Sequence, residues 1–173
     1  LREGFAPVSV PAVVARAAET VEPHARRKDV EIKTAVEDGL PSVLGDEGSL
    51  VEAVVNLLGN AVKFSRLGEP VRVEAAADEG TVTISVIDTG VGIPPEELPS
   101  VIRGLAPSKA GLEAERGSGL GLGITRRIIE AHDGSITVES DLGKGSTFTI
   151  RLPAAGKAPS GQAEHNAAGA PSP

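Results

Sequence analysis

Two pairs of short, apolar-alternating segments constrain this chain most, because each pair is joined by a turn too short for a crossover. Val71–Ala75 and Thr81–Ile87 flank Asp78-Glu79-Gly80, while Ser135–Ser140 and Thr147–Leu152 surround Asp141-Leu142-Gly143-Lys144-Gly145. Strands joined this way run antiparallel, since parallel neighbours need a connection of about a dozen residues or more. A further alternating stretch covers residues 30–36 and ends at Gly39-Leu40-Pro41. Helical signals separate the strands. Val10–Arg27 has Pro11 in its first turn, Asp46 can cap a helix running to Phe64 or Ser65, and a helix is expected over Leu120–Ala131. The pattern predicts an α+β fold, a mostly antiparallel sheet with helices on one face.

The chain has 173 residues, which suits one domain with a sizeable core. Residues 153–173 offer no apolar side chain larger than those of alanine and proline, so a folded domain over 1–152 and a disordered tail over 153–173 are expected. Seventeen Lys and Arg against 24 Asp and Glu leave a net charge of −7, which argues against nucleic-acid or direct membrane contact. The absence of cysteine excludes disulfides, thiolate metal sites and a cysteine nucleophile. His24, His132 and His165 lie far apart in sequence, and no uncharged apolar run approaches the roughly 18 residues of a membrane span. There is no methionine and the first residue is Leu1, so the chain is expected to be a piece of a longer one.

The polar chemistry concentrates in the segment from Glu52 to Phe64. At about 100° per residue, Glu52, Asn56, Asn60 and Lys63 fall within roughly 80° of one another. Leu50, Val54, Leu57, Leu58 and Val62 take the other side. One stripe thus carries a carboxylate, two amides and an ammonium. The oxygens suit a hard divalent ion and the ammonium suits phosphate. A plain solvated face would show the same amphipathic spacing. The asparagines set this helix apart: poor helix formers, they sit mid-helix four residues apart with Gly59 between them. Such local sacrifice of propensity is commoner at functional sites.

Two glycine-rich boxes follow. Asp88-Thr89-Gly90-Val91-Gly92-Ile93-Pro94 comes directly after a strand, where glycines let backbone approach a ligand and an ionised carboxylate can only accept hydrogen bonds. Gly117-Ser118-Gly119-Leu120-Gly121-Leu122-Gly123 opens a helix, where exposed N–H groups attract phosphate. A third cluster, Gly143-Lys144-Gly145-Ser146-Thr147, reads first as a hairpin turn. The set is neither a Rossmann fingerprint nor a P-loop, because no Gly-x-Gly box or Gly-Lys-Ser/Thr joins a strand directly to a helix.

In this order, the Asn56-x-x-x-Asn60-Ala-x-Lys63-Phe64 helix, the Asp88-Thr-Gly-Val-Gly-Ile-Pro box, the Gly117-Ser-Gly-Leu-Gly-Leu box and the Gly143-Lys-Gly-Ser-Thr-Phe turn resemble the ATP-binding domain of sensor histidine kinases. The wider family includes DNA gyrase and the anti-sigma-factor serine kinases. The resemblance spans roughly residues 5–153 and implies the Bergerat fold, a two-layer α/β sandwich with a mixed sheet under a layer of helices. It implies ATP and Mg²⁺ as ligands. Asn56 then matches the Mg²⁺ ligand, and Asn60 would face phosphate or metal-bound water. Lys63 matches the phosphate-contacting lysine and Phe64 the aromatic near the nucleoside. Asp88 would accept from adenine N6, with Gly90 and Gly92 shaping its loop and Ser146 supporting it through water. Gly117, Gly119, Leu120, Gly121 and Leu122 form the phosphate-side box that ends a mobile ATP lid over 105–118. Lys109 stands where relatives often place a lysine, and Glu52 where some place a general base.

The chain departs from the family in several places. Ile102 and Leu105 replace two phenylalanines usual before the lid, and His132-Asp133-Gly134 replaces a His-Gly-Gly turn, with His132 read as structural. The family's phosphoacceptor signature, a His followed by Asp or Glu on a dimerising helix upstream of this domain, is not present, and His24, after Pro23, reads as a surface helix residue. The resemblance therefore implies a catalytic piece that binds ATP without autophosphorylating by itself. Its partners would be a dimerisation and phosphoacceptor domain and a response-regulator receiver domain, with a monomeric fragment of a homodimeric parent. Location is expected in the cytoplasm, with the parent free or membrane-anchored. Two alternatives stay open: an anti-sigma-factor-type serine kinase, and a non-catalytic nucleotide-binding module with a degenerate lid.

Overall fold

The computed structural model describes residues 3–103 and 120–156. Its elements in chain order are β1 (Ala6–Val8), α1 (Val10–Arg27), β2 (Ile32–Val36), β3 (Val43–Gly45), α2 (Glu47–Phe64), β4 (Val71–Asp78), β5 (Thr81–Asp88), α3 (Leu98–Ile102), α4 (Leu120–Ala131), β6 (Ser135–Asp141) and β7 (Gly145–Pro153). Five strands form one sheet in the order β2-β4-β5-β7-β6, and β1 pairs with β3 separately. Only β2 and β4 run parallel in the large sheet. Their connection contains α2, as a parallel crossover requires. The expected α+β sandwich, with its mixed and mostly antiparallel sheet, is the fold observed.

Local chemistry explains the elements. Glu79 and Gly80 both have positive φ, 45° and 81°, the primed-turn geometry that matches the twist of the β4–β5 hairpin. Asp46 caps α2 by accepting from the Ser49 N–H at 2.8 Å. Helix α1 ends in a Schellman arrangement: the Val30 N–H reaches Ala25 O at 3.0 Å, and the Asp29 N–H reaches Arg26 O at 3.2 Å. Asp29 takes the left-handed position at φ 53°. Val30, expected as the first residue of a strand, is therefore buried against the helix end, and β2 begins two residues later at Ile32. The end of α4 repeats the arrangement with Asp133 at φ 56° and the Gly134 N–H on Ile129 O.

One core lies between the sheet and the helices. Val71, Val73, Val82, Ile84, Val86, Ile150 and Leu152 meet Val14, Val21, Leu50, Leu57, Leu58 and Val62 there. Leu58 is fully buried, so Leu58→Ala is expected to lower unfolding free energy by about 2–5 kcal/mol in urea titration. Pro153 closes β7 and the buried Ala154 bridges Val43, so ordered chain continues past Leu152. No helix among the described residues is long and apolar enough to cross a membrane.

Candidate functional site

Helix α2 turns its buried stripe to the core and leaves Asn56, Asn60, Lys63 and Phe64 half-buried along the other side, with Glu52 exposed. The first turn of α4 closes on this stripe. A Cβ added to Gly121 would lie 3.8 Å from Asn56 Cγ. Leu122 is buried in the core, and the buried Thr125 donates to Gly121 O at 2.9 Å. The 3.8 Å at Gly121 is ordinary van der Waals contact, so the first turn of α4 lies directly against the asparagine at this glycine. Lys109, Gly117 and Gly119 lie outside the described residues, as does the expected lid; Leu120 is the first residue of α4.

Asp88 ends β5 at 8 % exposure. Its Oδ1 accepts from the Gly90 N–H at 2.9 Å. Burial pushes the carboxyl up to about 6, while the backbone N–H groups of Gly90 and Ser146 hold it back from rising further. The loop after it is gripped on two sides. A Cβ on Gly90 would stand 2.0 Å from Phe64 O, and one on Gly92 would stand 2.1 Å from Asp141 O. Gly145, opposite the start of this loop, has φ 112° and no room for a Cβ against Asp88 O. The Gly143 N–H also donates to Val91 O at 2.7 Å. The glycines of the Asp88 box and of the Gly143–Thr147 cluster thus bring the end of α2, the Asp88 loop and the β6–β7 turn into backbone contact.

Two buried side-chain polar atoms have no hydrogen-bond partner among the described residues: Asn56 Nδ2 and Ser65 Oγ. Both belong to α2 or its C-cap. An unsatisfied buried group costs about 1–3 kcal/mol, which a ligand or water can recover. The same residues contain no cluster of three or more His, Cys, Asp or Glu that could cage a metal.

Several contributors escape sequence reasoning. Lys28 donates to Lys63 O at 2.5 Å, and Arg66 donates to Gly143 O at 2.6 Å. Ser140 Oγ contacts Ser146 Oγ at 2.8 Å, so Ser146 reaches Asp88 through its backbone N–H while its hydroxyl meets Ser140. These links join residues far apart in sequence or depend on main-chain atoms, so no local motif announces them. His132 is buried, with Nε2 accepting from the Asp46 N–H at 3.0 Å and Nδ1 lying 2.7 Å from Ile128 O. Its ring stacks on Phe5 at 4.5 Å. With Nε2 as acceptor, the neutral ring carries its proton on Nδ1 and donates to Ile128 O. Both nitrogens are thereby committed to holding the start of α2 and the end of α4.

A family model described as histidine kinase-, DNA gyrase B-, and HSP90-like ATPase matches residues 45–156. The chain belongs to this family of ATP-binding domains, and its fold is the Bergerat fold. Within the family it is homologous to the catalytic domains of sensor histidine kinases. It is 39% identical over 148 residues to the sensor-like histidine kinase SenX3 of Mycobacterium tuberculosis, covering 85% of this chain and 36% of SenX3. It is 33% identical to the solved mycobacterial sensor histidine kinase MprB, with a TM-score of 0.75 over 87% of this chain and 97% of that one. Full-length ShkA, solved in complex with AMPPNP, is 36% identical with a TM-score of 0.74, over 87% of this chain and 31% of ShkA. The chain spans well under half the length of the curated relatives it matches.

Proposed function

We propose that this chain is the catalytic module of a two-component sensor kinase. In this reading it passes the γ-phosphoryl group of ATP to a histidine on a separate dimerisation domain, for relay to a response-regulator aspartate. The observation that carries the reading is the buried Asp88 carboxyl, whose backbone donors leave it able to accept from an exocyclic amine of the base. Adenine N6 supplies that amine. Gly90 and Gly92 keep the loop close, and Phe64 lies beside the nucleoside. Lys63 and Asn60 face the phosphates, together with Lys109 and the Gly117, Gly119, Leu120, Gly121 and Leu122 box that ends the lid.

The donor set fits Mg²⁺ carried in with ATP. Asn56 offers a hard oxygen, and its unpartnered amide nitrogen can donate to a phosphate oxygen. With few acidic groups nearby, the ion would be held largely by phosphate oxygens, a usual mode for Mg²⁺. When bound it would offset charge on the β- and γ-phosphates. The protein's own work is then positioning and charge neutralisation. The acceptor imidazole attacks phosphorus through a neutral nitrogen lone pair as the bond to the ADP oxygen breaks, so Glu52 is not required to remove a proton first.

The parent is proposed to be a homodimer acting on the cytoplasmic side, and this piece a monomer. Radiolabelled ATP added with the isolated dimerisation helices tests the transfer. Acid-labile, base-stable label on their histidine is expected. Label on a serine of a partner, or nucleotide binding without transfer, would overturn it in favour of a serine kinase or a binding module. Asn56→Ala is expected to bind ATP with the same affinity in Mg²⁺ as in EDTA, measured by titration calorimetry; metal dependence equal to wild type would contradict its role.

A further inference from the structure

We propose that Ser140 is a positioning residue for the Asp88 end of the pocket: its hydroxyl fixes the two chain segments that bracket this carboxyl, and so sets the affinity for adenine nucleotides. The inference rests on the reading of Asp88 given above.

Ser140 is the penultimate residue of β6 and pairs directly with Ser146 of β7. Its Oγ accepts from the Ile93 N–H at 2.8 Å, donates to Gly145 O at 2.9 Å, and meets Ser146 Oγ at 2.8 Å. A hydroxyl has one proton and two lone pairs. With the proton on Gly145 O, the lone pairs take the Ile93 N–H and the Ser146 O–H, and the group is saturated. Its partners lie on both sides of Asp88. Ile93 closes the loop that leaves Asp88, and Gly145 and Ser146 open the strand opposite it.

These segments touch the carboxylate residue directly. Gly145 packs against Asp88 O so closely that an added Cβ would come within 2.0 Å. The backbone N–H groups of Ser146 and Gly90 both favour the ionised carboxyl. Burial and these two groups account for the behaviour of Asp88. The charged Asp141 and Lys144 of the β6–β7 turn, and Lys63 and Arg66 at the end of α2, are not among its causes. Removing the Ser140 hydroxyl leaves a backbone N–H, a carbonyl and a hydroxyl without their shared partner, and releases both segments at once. Thr137 offers a comparison on the same strand. It accepts from Arg151 at 3.0 Å and bonds to neither segment.

The test is ADP titration calorimetry between pH 5 and 8 on the whole chain. Wild type and Thr137→Ala are expected to share one affinity and one pH midpoint. Ser140→Ala is expected to bind ADP about tenfold more weakly at pH 7.5, the scale of one hydrogen bond. Its midpoint should rise by about half a pH unit, because the donors that favour the carboxylate are no longer held. Ser140→Thr should restore both values. If Ser140→Ala does not fold, Ser140→Cys, with a weaker hydrogen-bonding sulfur, should show the same shift in smaller measure. An unchanged affinity and midpoint, or equal changes in Thr137→Ala, would overturn the proposal. A wild-type chain that binds no ADP at any of these pH values would instead overturn the reading of Asp88.

Discussion

Asp88→Asn is expected to make the empty chain more stable at pH 7 while weakening ADP binding by about 10–100-fold. The first effect follows from burial. A carboxyl raised from 3.8 to about 6 carries a folding penalty of about 3 kcal/mol once it is ionised in both states. Below about pH 3 the group is neutral whether folded or unfolded, and the penalty is absent. Between about pH 3 and 6 the unfolded chain releases its proton while the folded chain keeps it, so stability falls as pH rises. Above pH 6 the loss is complete. Asparagine avoids the charge and keeps one oxygen for the backbone donors, but its amide nitrogen can accept from neither the Gly90 nor the Ser146 N–H. The net gain should be about 1–2 kcal/mol at pH 7 and should disappear by pH 4. Urea unfolding at the two pH values measures it. A variant less stable at pH 7, or a difference independent of pH, would contradict the account.

The second effect comes from the same group. On the proposed reading the ionised carboxylate accepts from the adenine amine, an interaction worth about 1.5–3 kcal/mol that the amide cannot reproduce. Wild-type affinity for ADP is therefore expected to be level above pH 7 and to decline below pH 6 as Asp88 takes up its proton. Asp88→Asn should lack that decline. Both variants meet the same nucleotide, so their difference separates the carboxyl from phosphate ionisation. Stability and binding thus pull in opposite directions at one residue, as happens where a site holds a charge ready for a ligand.

What the sequence makes legible here is what is local. The β4–β5 hairpin is written in its two-residue turn, and α2 in its Asp46 cap and apolar stripe. The strands β1 and β3 are three residues each and exist only through pairing between Ala6–Val8 and Val43–Gly45, so neither has a period to read. The short α3 is likewise below the length that a helical period needs. The ends of α1 at Arg27 and of α4 at Ala131 fall where the sequence places them, although Asp29 and Asp133, not glycine, take the left-handed positions beyond them. In the site, Asp88, Asn56 and Gly121 are visible because a motif names them. Ser140, Lys28 and Arg66 are not, because their value lies in partners 47, 35 and 77 positions away.

Four glycines should separate into three outcomes when each is changed to alanine. Gly59 lies mid-helix with nothing within 4 Å of an added Cβ, so Gly59→Ala should stabilise by about 0.5–1 kcal/mol through helix propensity. Gly143 has φ 81° with equally open surroundings, so Gly143→Ala should lose only the left-handed penalty, about 1 kcal/mol. Gly145 combines φ 112° with a Cβ 2.0 Å from Asp88 O, and Gly90 would place its Cβ 2.0 Å from Phe64 O. In both cases the obstacle is main chain, which cannot rotate aside as a side chain can. Gly145→Ala and Gly90→Ala should each lose more than about 3 kcal/mol in urea titration, beyond the range of ordinary substitutions. Both should also lose ADP binding, because the only relief is to move Asp88 away from α2 or from β7. If these two variants unfolded like Gly143→Ala and bound ADP normally, the close seam between the helix end, the loop and the turn could not be what holds the carboxylate in place.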